Sequence, residues 1–355
     1  MGSNQDAKPD LIPVSPAAPD TAMAPFYDAR GNIYAVISPD ALRALGIDVP
    51  ASAADAALTR QAWAANAVVV ICNWPEGQRP AGSKAHRSDG LLVGPFQDAA
   101  PFDVLIVNTD GTLAERSGNG LTIFAQSLTD ARRSLSDEGF TLRVHHDNDD
   151  SASPVPTDVV PAVIDGVSGF WLDIGTPGFG AAAVGAKGSG VSDTTLDQRR
   201  VNRVERLARL HPDWQTSVLV RVGNPHCVTL VGGAASLPDF EHLHQPPLND
   251  ALTRIAFAAG AMGEGDPCPA GINLQWAAKA APNRILARVF ERGEGPTASS
   301  GTSASAVASA AWLCGWVQAG LVEVVMPGGT APVRLIEQDG RLQQVQLFGA
   351  AHLQH

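Results

Sequence analysis

The amino-acid sequence predicts an α+β protein built as two pseudo-symmetric lobes. Three observations predict it. Short β-branched runs outnumber helical patterns and do not alternate with them in the manner of a parallel sheet. Each half of the chain carries one central apolar helix rich in small residues. Each of those helices opens on a similar turn, Ser117-Gly118-Asn119-Gly120 in the first half and Ser300-Gly301-Thr302-Ser303 in the second.

The elements follow in order. Residues 1–24 are polar and rich in proline and alanine, and read as a flexible leader without the basic start and apolar stretch of a signal peptide. Runs at 33–37, 67–72, 91–93, 104–107 and 142–145 are short, β-branched and bounded by Gly, Asp or Pro, which predicts strands. Residues 41–45 and 54–65 read as helices. A longer helix over 118–134 is predicted by Leu121, Phe124, Ala125, Leu128 and Ala131, spaced by three and four. The stretch 147–165 is acidic, rich in proline and serine and without periodicity, and reads as the connection between halves or a long surface loop. Further strands are predicted at 169–174, 217–222, 228–231, 272–276, 285–290, 321–325, 333–335 and 342–348, with helices at 197–210 and 302–319. The lobes are expected at 25–166 and 167–341, with the terminal strand within 342–355 able to return to the first lobe.

Composition narrows the function. The 355 residues are 45% hydrophobic and 17% charged, enough apolar content for a core. Twenty-five Lys+Arg against 36 Asp+Glu leave a net charge of −11, which disfavours a phosphate backbone as partner. No apolar run approaches the ~20 residues of a membrane helix. Cys72, Cys227, Cys268 and Cys314 are far apart with no CxxC spacing, the pattern of isolated thiols in a cytoplasmic protein. Neither a metal-spaced His/Cys cluster nor a dinucleotide fingerprint is present.

The repeat carries the chemistry. Asn108 precedes Ser117 by nine positions, and Glu291 precedes Ser300 by nine. Each half also holds an upstream Gly-Asn, Gly31-Asn32 and Gly223-Asn224. A Ser-Gly turn opening a helix points free backbone N–H groups at whatever lies beside the serine. Two such ends facing each other across a cleft form a carboxylate site. Read one at a time, the serines are also ordinary N-caps.

These residues resemble the diaminopimelate epimerase family from about Tyr27 to Phe348. Asn108-Thr-Asp-Gly-Thr…Ser117-Gly-Asn-Gly looks like the family's first active-site block, Gly223-Asn-Pro-His-Cys-Val228 like its central block, and Glu291-Arg-Gly-Glu-Gly-Pro-Thr…Ser300-Gly-Thr-Ser303 like its second. Gly31-Asn32-Ile33-Tyr34, Ser88-Asp-Gly-Leu91, Asp173-Ile-Gly-Thr-Pro177 and Asn273-Leu274 are weaker echoes. The resemblance implies two lobes, each a curved mixed β-sheet or barrel wrapped around a central α-helix, with the active site in the cleft between them. It implies chemistry without pyridoxal phosphate, metal or other cofactor, a small amino-acid or dicarboxylate substrate, and a homodimer as one arrangement. It assigns the α-carboxylate to backbone groups at Gly118-Asn119 and Gly301-Thr302. Asn32, Asn108, Asn224, Asn273 and Arg292 would contact the rest of the substrate, with Arg292 suited to a distal carboxylate. Glu291 and His226 would flank the two catalytic positions.

At those two positions the epimerases of the family carry cysteines, and this chain carries Ser117 and Ser300. Pro296 also replaces an acid of the family pattern, and Ser299 and Ser303 replace small apolar residues or glycine. A thiol has a reference pKa near 8.5, whereas a serine hydroxyl becomes a base only when another group takes its proton. Three readings stay open. The first is an isomerase, lyase or cyclase in which Glu291 or His226 acts as base. The second is a true epimerase with serines activated by those residues. The third is a catalytically silent binding or accessory protein.

Overall fold

The structure is a computed structural model describing residues 24–133, 136–148, 152–187 and 190–354. The leader expected over 1–24 lies outside these residues apart from Ala24, as do parts of the expected connection at 149–151.

The first run of elements is β1 (Phe26–Ala29), β2 (Asn32–Ile37), α1 (Pro39–Ala44), α2 (Ala53–Leu58), α3 (Ala64–Cys72), β3 (Gly90–Val93), β4 (Phe102–Asn108), β5 (Leu113–Ala114), α4 (Gly118–Asp130), β6 (Phe140–Val144), β7 (Val155–Ile164) and β8 (Val167–Gly175). The second adds β9 (Gly178–Phe179), α5 (Ala181–Val184), β10 (Val191–Leu196), β11 (Arg199–Val204), α6 (Glu205–Leu210), β12 (Ser217–Val222), β13 (Asn224–Val231), α7 (Phe240–Leu243), α8 (Leu248–Ala256), β14 (Asn273–Ala281), β15 (Arg284–Glu291), β16 (Gly295–Thr297), α9 (Gly301–Leu313), β17 (Gly320–Met326), β18 (Gly329–Gln338), β19 (Arg341–Gly349) and β20 (His352–Leu353).

Strand pairing repeats. β1 to β2 is antiparallel, β2 to β3 parallel, β3 to β4 antiparallel, β4 to β6 parallel, and β6–β7–β8 antiparallel. The series β12, β13, β14, β15, β17, β18, β19 follows the same sequence of directions. Each series wraps a thirteen-residue helix, α4 or α9. β8 and β19 then pair antiparallel, Phe170 opposite Gly349, and β20 pairs with β1. The fold is thus the α+β pair of pseudo-symmetric lobes expected, with the cleft between them. α9 is buried from Gly301 to Ala311, and small residues let the strands close around it. Among the described residues no helix is long and apolar enough to cross a membrane.

Several local expectations are corrected. The run 67–72 is not a strand: it belongs to α3, which buries Ala64, Ala67, Val68 and Cys72 and leaves Val69 and Val70 half exposed. That is helical periodicity in a β-branched run, where packing of one face outweighs propensity. The helix expected over 54–65 is broken after Leu58 by a short 3₁₀ turn. Much of 147–165 is strand β7: Pro156 is paired only with β6 and Pro161 only with β8, so each prolyl nitrogen can face an unpaired side. Residues 197–210 are mostly not helix. Asp197 and Gln198, both at positive φ, turn the β10–β11 hairpin, and only α6 is helical. The two central helices also end early. α9 stops at Leu313, where Gly315 at φ +73° closes the end and Trp316 N–H bonds Ala311 C=O.

Candidate active site

The two serine turns arrive at the same place by the same local route. Ser117 (φ −143°, ψ 119°) and Ser300 (φ −148°, ψ 122°) are extended N-cap residues. Ser117 Oγ accepts the Gly120 N–H at 3.0 Å, and Ser300 Oγ accepts that of Ser303 at 3.3 Å. The helix ends meet head to head. A Cβ placed on Gly118 would lie 3.6 Å from the Gly301 Cα and 2.8 Å from Leu347 Cδ2, and one on Gly301 would lie 2.4 Å from that same Leu347 atom. A side chain at either position would have to displace Leu347. The approach leaves two positive helix ends side by side at the wall of a cavity of about 300 Å³.

Twelve of the thirteen residues singled out from the sequence line that cavity: Asn32, Asn108, Ser117, Gly118, Asn119, Asn224, Asn273, Glu291, Arg292, Ser300, Gly301 and Thr302. Their amides are not equally free. Asn273 Nδ2 donates to Pro225 C=O at 3.3 Å and its Oδ1 accepts Arg292 N–H at 2.8 Å, while Asn108 donates to Thr112 Oγ1 at 2.9 Å. Arg292 stands at the exposed mouth, donating to Ala270 C=O at 3.0 Å and bound in no ion pair among the described residues. Its stem runs over Gly271, where a Cβ would meet Arg292 Cδ at 2.7 Å.

His226 is the exception. It is fully buried one layer behind Ser300, its Nδ1 3.0 Å from Gln275 Nε2, which also donates to Ser303 Oγ at 3.0 Å. Burial, then the nearby Arg292 and Arg221 charges, push its pKa down to about 3. It is a neutral part of the wall, off the cavity surface.

The two sides differ in wiring. Ser300 Oγ donates to Glu291 Oε1 at 2.6 Å. Burial, then the charge of Glu294, raise the Glu291 pKa to about 7, against the pull of the Ser300 hydrogen bond. A carboxylate with that pKa exchanges protons readily near neutral pH. Among the described residues Ser117 has no carboxylate partner; it faces the phenol of Tyr34. Beside it, Arg116 is committed to the C=O groups of Ile174 and Asp173, each at 2.8 Å, and to Thr157 Oγ1 at 2.7 Å.

Sequence reasoning assigned no role to Tyr34, Glu115, Arg116 and Glu294, which also line the cavity, as does Ser299, noted only as a departure from the family pattern. Tyr34 and Glu294 sat within the quoted motifs, so adjacency to a motif was a usable signal. Among the described residues no group of three or more His, Cys, Asp or Glu side chains could hold a metal ion, and all four cysteines are buried and free.

Residues 218–352 match the family model described as diaminopimelate epimerase. A protein named diaminopimelate epimerase 2 from Nostoc sp. is 29% identical over 250 residues, 70% of this chain and 74% of its own. The chain is related to the diaminopimelate epimerases. A diaminopimelate epimerase from Synechococcus sp. is 28% identical over 74% of this chain and 80% of its own. A Bacillus anthracis phenazine biosynthesis protein of the PhzF family shares the fold, with TM-score 0.56 and 13% identity over 94% of this chain and 96% of its own. Within this group of relatives the chain is an isomerase-type enzyme.

Proposed function

We propose that the cavity carries out a one-base proton shift on a small amino-acid-like or dicarboxylate substrate. The observation that carries this is the asymmetry of the serines: only Ser300 is hydrogen-bonded to a carboxylate, and that carboxylate titrates near neutrality. The substrate carboxylate lies against the backbone N–H groups of Gly118-Asn119 and Gly301-Thr302. As the C–H bond breaks, its proton passes to Ser300 Oγ while the Ser300 hydroxyl proton passes to Glu291 Oε1. No free serine alkoxide forms. The electron pair moves into the carboxylate, whose charge the paired helix ends stabilise. Where a C=C is conjugated with that carbon the pair extends to its far end, and return of the proton there moves the double bond, gives the isomer and resets Glu291. The relatives are named for diaminopimelate, so LL-diaminopimelate is the first compound to test.

A two-base epimerase is the second reading, supported by Ser117 on the opposite helix end. Proton NMR in D2O with LL-diaminopimelate and unsaturated dicarboxylates separates the two. Deuterium at a shifted position without inversion supports the proton shift, and exchange with inversion supports the epimerase. Glu291→Gln should lower turnover by about 10²-fold or more; near-normal turnover in that variant removes Glu291 from the mechanism. Binding without exchange for every compound leaves a ligand-binding relative.

A further inference from the structure

The cavity wall holds a group that the proton shift leaves unused. Tyr34 stands on β2 and is 7% exposed. Its ring fits a slot cut by a missing side chain: a Cβ on Gly90 of the adjacent parallel strand β3 would lie 2.7 Å from Tyr34 Cε1. The slot brings the phenol to the cavity, beside Ser117. Ser117 Oγ accepts the Gly120 N–H and keeps its own proton to donate, and the Tyr34 oxygen is an acceptor beside it. That arrangement leaves the phenolic proton of Tyr34 for the cavity.

The other tyrosine does not compete for this role. Tyr27 bonds Asp130 at the last residue of α4, at the opposite end of the helix from Ser117. Burial, against the pull of the Ser117 hydrogen bond, and then the charges of Glu294, Asp89 and Glu291 raise the Tyr34 pKa above its ordinary value, so the phenol is protonated at neutral pH. A phenol kept neutral is a poor proton carrier and a good hydrogen-bond donor, the requirement for stabilising an oxyanion without neutralising it.

Resting on the one-base reading, we infer that Tyr34 is a further catalytic residue, a hydrogen-bond donor to the enolate oxygen of the substrate on the side facing away from Ser300, with Ser117 as its positioning residue. No bond is made or broken at Tyr34: its proton stays on the phenol while the charge left by proton transfer to Glu291 is held by the two helix ends and this O–H. The substrate class that follows has a carboxylate on the carbon that loses its proton, since that carboxylate becomes the enolate.

Two measurements test this. The chain has only two tyrosines, so full-length protein labelled with ¹³Cζ-tyrosine gives two resonances, assigned with Tyr34→Phe. Ser117→Ala should shift the Tyr34 resonance and leave that of Tyr27 in place; no shift overturns the Tyr34–Ser117 pair and needs no substrate. Tyr34→Phe keeps the ring in its slot, and with LL-diaminopimelate or an unsaturated dicarboxylate in D2O it should lower kcat by about 10²-fold with KM within about twofold. An unchanged kcat in Tyr34→Phe, beside an inactive Glu291→Gln, overturns the role of Tyr34 and leaves the proton shift standing. An impaired Tyr34→Phe beside an active Glu291→Gln does the reverse. A wild-type protein that exchanges no proton of any of these compounds overturns both.

Discussion

Glu291 and His226 are both titratable groups moved far from their ordinary values, and they act on stability in opposite directions. The Glu291 pKa is raised from 4.5 to about 7, so the folded state binds a proton that the unfolded state has lost between those pH values. Its stabilising effect is complete below about 4.5 and is lost as pH rises to 7. The His226 pKa is lowered from 6.5 to about 3, so its stabilising effect is complete above 6.5 and is lost as pH falls toward 3. Between 4.5 and 6.5 the two slopes oppose. Glu291→Gln should therefore stabilise the protein above pH 7, by at most about 3 kcal/mol, and expose a wild-type-like chain whose stability rises more steeply from pH 4.5 to 6.5. Urea unfolding across that range measures it, and a variant with the wild-type pH profile refutes the perturbed value. For activity the sign is simpler: a base must be ionised, so kcat should rise with pH through about 7.

At the scale of elements, the encounter of α4 and α9 over Leu347 is the feature most sensitive to substitution. A methyl group at position 301 would be driven to 2.4 Å from Leu347 Cδ2. Gly301→Ala should cost about 1–3 kcal/mol, with partial recovery in Gly301→Ala/Leu347→Ala because the obstructing atom is a side chain. Additive losses in that double variant would place the strain elsewhere. The central helices were legible in the sequence because each opens on a serine turn, followed by apolar periodicity in α4 and by a run of small residues in α9. α3 was not, since a run of valines favours a strand by propensity until one face is packed as a helix. The β10–β11 hairpin was missed for a related reason: its turn is Asp197-Gln198, without the glycine that usually marks two residues at positive φ.

For the whole molecule, the decisive contact is the antiparallel pairing of β8 with β19, which joins the two strand series. Gly169 sits at the end of this junction, where a Cβ would lie 2.3 Å from the backbone oxygen of Gly349. Backbone cannot swing aside as a side chain can. Gly169→Ala should therefore lower Tm and also weaken ligand binding, because the cavity is walled from both series. A Tm drop with unaltered affinity, read by thermal shift and calorimetry, would show that the junction and the cavity are uncoupled. Arg116 adds a second tie, reaching from the loop before α4 to the carbonyls of β8 and to Thr157 on β7.

By itself the sequence determined the duplicated α+β plan, the two serine turns and twelve residues of the cavity wall. These are carried by local signals: helix caps, glycine turns and equal spacing in the two halves. Tertiary structure alone decided that Glu291 pairs with Ser300 and not Ser117, that His226 is sealed behind the wall, and that Tyr34 enters the site through the space left by Gly90. Hydrogen bonds between residues distant in sequence, and the desolvation that shifts a pKa, depend on how the strands close around the helices. Spacing along the chain does not encode them.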